Sequence, residues 1–328
     1  MKPQLSSFFV AILLTLFSCQ QYRQKEVDRL DITFLTTTYI KTTPVKDQGE
    51  WPVGSLYAYL SWIESCRIHK GDSLELSPIY LMRFLCQEEI TMRKHPNFQL
   101  TPSDAAILMR NHGITLYDYY RKHLNIRPEW FIQNQQFFAS HPEQLDIVLD
   151  TAFGYTPSHI MLYGATYTPQ DLMQSVWTDL SETSFIHPKQ IAQDDNRILI
   201  DTMKDLLYQG ESIIWYGDTL QEGYSFPQGI AIITDKDSPT LISTASRHLH
   251  AMHIIGIAHP SPRSSLPTYD SSTTYFMAKD SHGTNNRREG MVFLSEQYVR
   301  LHTMAIFYPS LSSNPRIFPP KRKDRSSK

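Results

Sequence analysis

From residue 55 the chain runs in a helical period: Leu56, Tyr57, Leu60 and Ile63 recur at the spacing of one helix face. "LSPIYLMRFLCQEE" predicts a second helix, with Ser77 as a cap for an orphan N–H and Pro78 in the first turn, where its missing donor costs nothing. "TPSDAAILMRNHGI" repeats that grammar with Thr101, Pro102 and a closing Gly113. Upstream, "FLTTTYIKTTPVKD" is β-branched and breaks at Pro44, which predicts an extended lead-in strand followed by a loop. After about residue 155 the period changes. "YTPQDLMQSVW" and "NRILIDTMKDLLYQG" still predict helices, but "ESIIWYGD", "QGIAIITD", "HAMHIIGIAH", "TTYFMAKDS" and "GMVFLSEQYVRLHTMAIFYP" are apolar or alternating runs set off by turn residues. Helices first and strands later predict an α+β protein of two lobes, with a cleft between them as the place for a ligand.

The 328 residues, 41% hydrophobic and 20% charged, suit one large domain or two lobes sharing a cleft. A net charge of -2 provides no broad basic field, so no nucleic-acid partner is expected. Residues 1–18 pair one lysine with a short apolar core, Phe8 to Phe17, and read as a signal peptide. That core is too short for an ordinary membrane-spanning helix, which needs about 20 apolar residues. "LFSC" resembles a bacterial lipobox. On that reading Cys19 is lipidated, the exported chain is a lipoprotein of the cell envelope, and residues 19–35 are a spacer from the anchor; otherwise an ordinary secreted protein is cut nearby and Cys19 is incidental. Residues 313–328, with prolines and a basic run, predict a loose tail. Cys66 and Cys86 remain, which excludes a dense disulfide framework and leaves a single bridge open.

No cofactor is expected, because CxxC, HExxH, a phosphate-binding glycine loop and an EF-hand pattern are all missing. His248, His250 and His253 lie close in sequence, but a strand would split them between two faces and no carboxylate or cysteine accompanies them. No metal site is therefore expected.

"TTPVKDQG", then a helix ending in "LSWIES", then "HAMHIIGIA" and "YFMAKDSHGTNN", follow one another in an order that resembles the papain-like cysteine peptidases, in the bacterial branch related to bleomycin hydrolase and aminopeptidase C. The resemblance implies a papain-like domain over 36–312, with a helical lobe at about 44–155, a β-rich, barrel-like lobe at about 156–312 and an interlobe cleft. It also implies roles. Gln48 matches the glutamine that donates its amide to the oxyanion hole, and His250 the histidine of the catalytic pair. Asp280 stands where the family has an asparagine that orients the imidazole, and His282 where it has a shielding tryptophan. An aspartate can hold an imidazole, but without the aromatic cover the contact should be wetter and weaker. Six residues after the glutamine the family places its nucleophilic cysteine at the start of a long helix, where orphan N–H groups and the helix dipole favour a thiolate. Counting without a gap lands on Gly54. A rival register aligns Leu56 with the cysteine at the cost of a two-residue insertion; neither residue can attack a carbonyl.

Ser55 is the nearest substitute, yet one helical step turns a side chain by about 100° and a hydroxyl lacks the acidity of a thiol. Cys66 lies twelve residues beyond Gly54, about 18 Å along a continuous helix. The survivors also have structural readings: Gln48 as a loop amide, His250 as a hydrogen-bonded core histidine, Glu64 as either a structural carboxylate under the cleft or a solvated helix position, and Tyr57, Trp62, Tyr80 and Phe84 as core. The expected function is that of a catalytically inactive homologue binding a peptide or protein segment in its cleft. The alternative is a residually active peptidase using Ser55 or a water activated by His250. Oligomeric state is left open.

Overall fold

The computed structural model describes residues 27, 30–119, 127–176, 180–184, 193–219, 223–233, 248–264 and 272–309. Residues 1–18, read as a signal peptide, Cys19, most of the expected spacer 19–35 and the tail 313–328 lie outside the described residues.

Strand β1 (Phe34–Tyr39) leads into the helical lobe, which contains α1 (Gly54–His69), α2 (Pro78–Met92), α3 (Pro102–His112), α4 (Pro128–Gln133), α5 (Gln135–Ser140) and α6 (Pro142–Phe153). A hairpin of β2 (Ile160–Leu162) and β3 (Ala165–Tyr167) then precedes α7 (Pro169–Val176). The expected caps are in place. Ser77 Oγ accepts the Tyr80 N–H at 3.4 Å, and Thr101 with Asp104 closes a reciprocal capping box, each cap worth about 1 kcal/mol. Gly113 ends α3 at φ +78°, a conformation that favours glycine.

Helix α1 buries more than the apolar face of Leu56, Tyr57, Leu60 and Ile63, being buried on nearly every side. The reason is its place between the lobes: Leu56, Tyr59, Leu60 and Ile63 belong to the helical-lobe core, while the helix also packs on the sheet of the second lobe. Three of its polar side chains are paired across to neighbouring segments. Ser61 Oγ lies 2.9 Å from His253 Nδ1, Trp62 Nε1 donates to the Ser212 carbonyl at 3.1 Å, and Ser65 Oγ donates to the Lys41 carbonyl at 2.7 Å.

The second lobe is built on β4 (Leu180–Ser184), β5 (Ile213–Asp218), β6 (Tyr224–Ser225), β7 (Ile230–Ala231), β8 (Leu249–Pro260), β9 (Tyr275–Lys279), β10 (Met291–Ser295) and β11 (Thr303–Pro309), with α8 (Gln193–Tyr208) and α9 (Glu296–His302). The strands form one sheet in the order β4-β11-β5-β8-β9-β10-β7-β6, and β1 pairs with the far half of β8, Phe34 opposite Pro260 and Tyr39 opposite Gly256. Among the described residues the sheet of this lobe, expected to be barrel-like, does not close into a barrel. Its edges are β4 and the two-residue β6, too short to carry a closing ladder, and β8 spends its free edge on β1. Along the central strands Ile214, Ala251, Ala305 and Phe307 face the helical-lobe core, whereas Ile213, Trp215, Met252, Ile254 and Ile306 fill the second core, the period of two that a sheet buried on both faces requires.

One long apolar run resolves differently from its strand-like appearance. "GMVFLSEQYVRLHTMAIFYP" is strand, helix and strand, because Ser295 Oγ accepts the Tyr298 N–H at 3.1 Å and starts α9. Cys66 and Cys86 are free thiols, so the open question of a bridge is answered. Burial pushes the Cys66 thiol up to about 12, and Cys86 is also raised by burial.

Glu88 pins the helical lobe. It accepts from Lys94 Nζ at 2.7 Å, His95 Nε2 at 3.1 Å and His112 Nε2 at 2.7 Å. Burial opposes its charge, but these donors prevail and hold its pKa down to about 2. A carboxylate depressed in the folded state contributes stability above its unfolded value of about 4.3, and loses it as pH falls through the folded value. Thermal unfolding of Glu88→Gln should therefore show a deficit against the parent chain at about pH 6 that shrinks as pH falls toward about 2. A deficit constant across that window would contradict the assignment.

Candidate functional site

Loop 46–53 reaches the site through two anchors. The Trp51 ring lies in the helical-lobe core with centroids 5.4 Å from Phe98 and 5.9 Å from both Phe131 and Phe153. On the other side, Gln48 N donates to the Ser281 carbonyl at 2.7 Å, and the backbones of Asp47 and His282 pair in an isolated antiparallel β-bridge. These bonds fasten the loop to the second lobe. Gln48 is buried, its Nε2 donating to the Trp51 carbonyl at 2.7 Å and its Oε1 accepting from Ser281 Oγ at 2.5 Å. A carbonyl can only accept, so Trp51 fixes which way the amide points. The acceptor oxygen is the end turned toward Gly54, 3.3 Å from where a Cβ on that residue would sit. The donor role implied by the resemblance thus finds the amide nitrogen engaged by the loop itself.

Strand β8 presents His250, and β9 ends at Lys279, so Asp280 is the first residue past the strand. His250 Nε2 lies 2.7 Å from Asp280 Oδ1, and His282 Nδ1 lies 3.1 Å from the same oxygen. The Ser281 N–H donates to that oxygen at 2.6 Å, and the Tyr224 hydroxyl donates to Oδ2 at 3.0 Å. The Asp280 side chain is 0% exposed and that of His250 6%, so the contact is dry and not wet as expected. The His282 ring, 5.0 Å from the His250 ring, and Phe226, edge-on to His282 at 5.5 Å, supply the cover that was thought lost with the tryptophan. Tyr224 and Phe226 were not legible as site residues. Tyr224 lies on the two-residue β6 and Phe226 in the turn after it, and no pattern in "GYSF" marks either.

Burial works against the charge of Asp280, but the charge and hydrogen bond of His250, with the bond from His282, hold its carboxyl well below the usual range. His282 is the mirror case. Burial disfavours its charged form, and the hydrogen bond and charge of Asp280, with Asp47 beyond, raise it above an ordinary histidine.

Gly54 is the first residue of α1 and faces this pair. A Cβ placed on it would lie 2.3 Å from His250 Cε1 and 2.4 Å from Nδ1. The imidazole therefore fills the volume in which a side chain at 54 would begin. Leu56 is fully buried in the helical-lobe core and is not the residue opposite His250. Ser55 is buried and makes no hydrogen bond to any described residue, His250 included. Cys66 lies on the last turns of α1. Of the three clustered histidines only His250 joins the site: His248 is exposed beside Thr219, and His253 is buried against Ser61 with its Nε2 unpartnered.

Beneath the dyad lies a polar seam. Glu64, 0% exposed, accepts from the Thr43 hydroxyl, from Lys46 Nζ at 2.5 Å and from the Leu76 N–H at 2.5 Å, which settles it as a structural carboxylate. Lys279 Nζ donates to the Thr43 carbonyl at 2.8 Å and to Ser61 Oγ at 2.9 Å. Burial lowers its pKa to about 8 against the pull of Glu64. A cavity of about 20 Å³ between these groups and Asp280 has room for a single water.

No family model and no curated protein matches the chain. Solved structures do. PepW from Lactobacillus rhamnosis HN001 is 13% identical, with a TM-score of 0.56 over 94% of this chain and 92% of that one. Xylellain, a cysteine protease from Xylella fastidiosa, is 13% identical over 87% of this chain and 88% of its own, at a TM-score of 0.49. The clostridial cysteine protease Cwp84 after propeptide cleavage is 17% identical over 82% of this chain and 55% of its own, also at 0.49. The likeness to PepW extends over nearly all of both chains and shows a papain-like two-lobe fold; at that identity it shows the fold alone.

The crowding at Gly54 makes a signed prediction. Replacing an unconstrained helical glycine by alanine gains up to about 1 kcal/mol, whereas forcing a methyl into packed atoms costs about 1–3 kcal/mol. Gly54→Ala should therefore unfold at lower denaturant than the parent chain. A gain in stability would mean that the ring does not occupy that space.

Proposed function

We propose that this chain is a catalytically inactive homologue of papain-like cysteine peptidases of the bleomycin hydrolase and aminopeptidase C type, and that its cleft binds a peptide or protein segment without cutting it. On this reading the chain is exported and held at the cell envelope by a lipid on Cys19. The observation that carries the proposal is the bare Cα of Gly54 facing His250 at the start of α1. Covalent peptide hydrolysis needs an atom there that can attack a carbonyl, and a glycine has none. Ser55 makes no bond to His250, and burial suppresses the thiolates of Cys66 and Cys86. Shape and hydrogen-bonding groups outlast the loss of a nucleophile, so binding is the capacity that remains.

One observation favours a second reading. The His250–Asp280 contact of 2.7 Å is the geometry of an oriented general base, which could activate a water. Without a nucleophile, residual catalysis in a dissected serine protease amounts to roughly 10³–10⁴ over water, too little for a working peptidase.

Incubation with an epoxide probe for papain-like enzymes, read by intact mass, separates covalent chemistry from binding. The unmodified chain should stay unlabelled, while Gly54→Cys should gain one probe mass. Labelling of the unmodified chain in the cleft would overturn the proposal, and labelling of Leu56→Cys in place of Gly54→Cys would overturn the register on which it rests.

A further inference from the structure

The site holds more ligating atoms than a His–Asp pair needs. His250, Asp280 and His282 each offer one ligand atom, and these atoms all lie within 4.8 Å of one another. No other group of three such side chains converges in this way among the described residues. We propose that these three residues form a binding site for a divalent late first-row cation of the Zn²⁺ type. The inference rests on the geometry of the three side chains and is independent of whether the cleft holds a peptide.

Two imidazole nitrogens and one carboxylate oxygen suit Zn²⁺ and its neighbours, whereas Mg²⁺ and Ca²⁺ favour all-oxygen sites. Three protein ligands leave a fourth position of a tetrahedral ion for water or a ligand. The two contacts to the carboxylate are close to what such an ion requires. Bonds of about 2.0–2.1 Å at tetrahedral angles set ligand atoms about 3.3 Å apart, and the two contacts to Asp280 Oδ1 are 2.7 and 3.1 Å. Admitting the ion eases the two contacts to Oδ1 by a few tenths of an ångström and draws together the two imidazole nitrogens, which lie within 4.8 Å of each other.

To ligate, each neutral imidazole offers the lone pair of the nitrogen that now faces Asp280 and carries its proton on the other one: His250 on Nδ1, next to Gly54, and His282 on Nε2. The carboxylate is already held from outside the triad. Tyr224 donates to Oδ2 and the Ser281 N–H to Oδ1, the kind of outer support that orients a metal ligand. Access runs past His282, whose side chain is 38% exposed, while Asp280 is closed off. Glycine at 54 places no competing side chain against His250.

The test is a calorimetric Zn²⁺ titration of the full chain after chelator treatment, with Co²⁺ absorption as the readout of coordination geometry. One equivalent should bind per chain, and Co²⁺ should show the intense visible bands of a tetrahedral site. His282→Ala, at a half-exposed position where folding should survive, should weaken Zn²⁺ at least about tenfold and remove those bands. Asp280→Asn, checked for its fold by circular dichroism, should do the same. His248→Ala, at an exposed histidine outside the triad, should bind as the parent does. The proposal is overturned if the parent shows no saturable binding, if His282→Ala binds as tightly as the parent, or if His248→Ala removes the binding. Epoxide labelling of the unmodified chain would sink the proposed function and leave this titration unaffected, so the two can fail separately.

Discussion

The contact on which the site depends is that of the His250 imidazole against the bare Cα of Gly54. The ring is tied at one nitrogen to Asp280, so its approach to the start of α1 is set by the end of β9 and not by rotation of a free side chain. It sits where a Cβ at 54 would have to be. A residue with any side chain would have to push the imidazole away from its carboxylate, or push α1 away from the sheet. The first would break a buried charge-assisted hydrogen bond, and the second would open a helix packed on all sides. The packing of the site thus leaves no room for a side chain at 54 while the ring keeps its place.

What holds the two lobes together does not involve that contact. Glu64 on α1 gathers Thr43, Lys46 and the Leu76 N–H, while Lys279 reaches from β9 to Thr43 and Ser61. Buried charges carry a desolvation cost that only good partners offset, and losing one partner leaves the other exposed to the whole of it. This seam, with the Trp51 ring in one core and the Gln48 backbone bonded to the second lobe, keeps the interlobe geometry without any call on peptide chemistry. On the proposed reading, a fold that outlasts its chemistry is physically consistent: the lobes are held by one set of groups and chemistry would need another.

Local signals along the chain read well where the physics is local. The caps at Ser77 and Thr101 and the stop at Gly113 follow from backbone groups that must be satisfied within a few residues. The alternation of β5, β8 and β11 follows from a sheet with a core on each face. That Gly54 faces His250 was anticipated only through the resemblance, which implies a site six residues after Gln48. Legibility failed where the deciding partner is remote. The dryness of the His250–Asp280 contact depends on Tyr224 and Phe226, more than fifty residues from Asp280 in sequence, and the Gln48 amide oxygen is held by the Ser281 hydroxyl from the other lobe. His282 looked like a lost shield; only the fold brings it onto the same carboxylate as His250 and makes the pair of substitutions a cluster of ligating atoms.

The most direct test of the central claim is peptide hydrolysis itself, measured by mass spectrometry on a mixed peptide library with a chelator present, comparing the unmodified chain with His250→Ala. If Gly54 leaves the cleft without a nucleophile, the two proteins give the same product yield, no greater than buffer. Hydrolysis by the unmodified chain that disappears in His250→Ala would contradict the account.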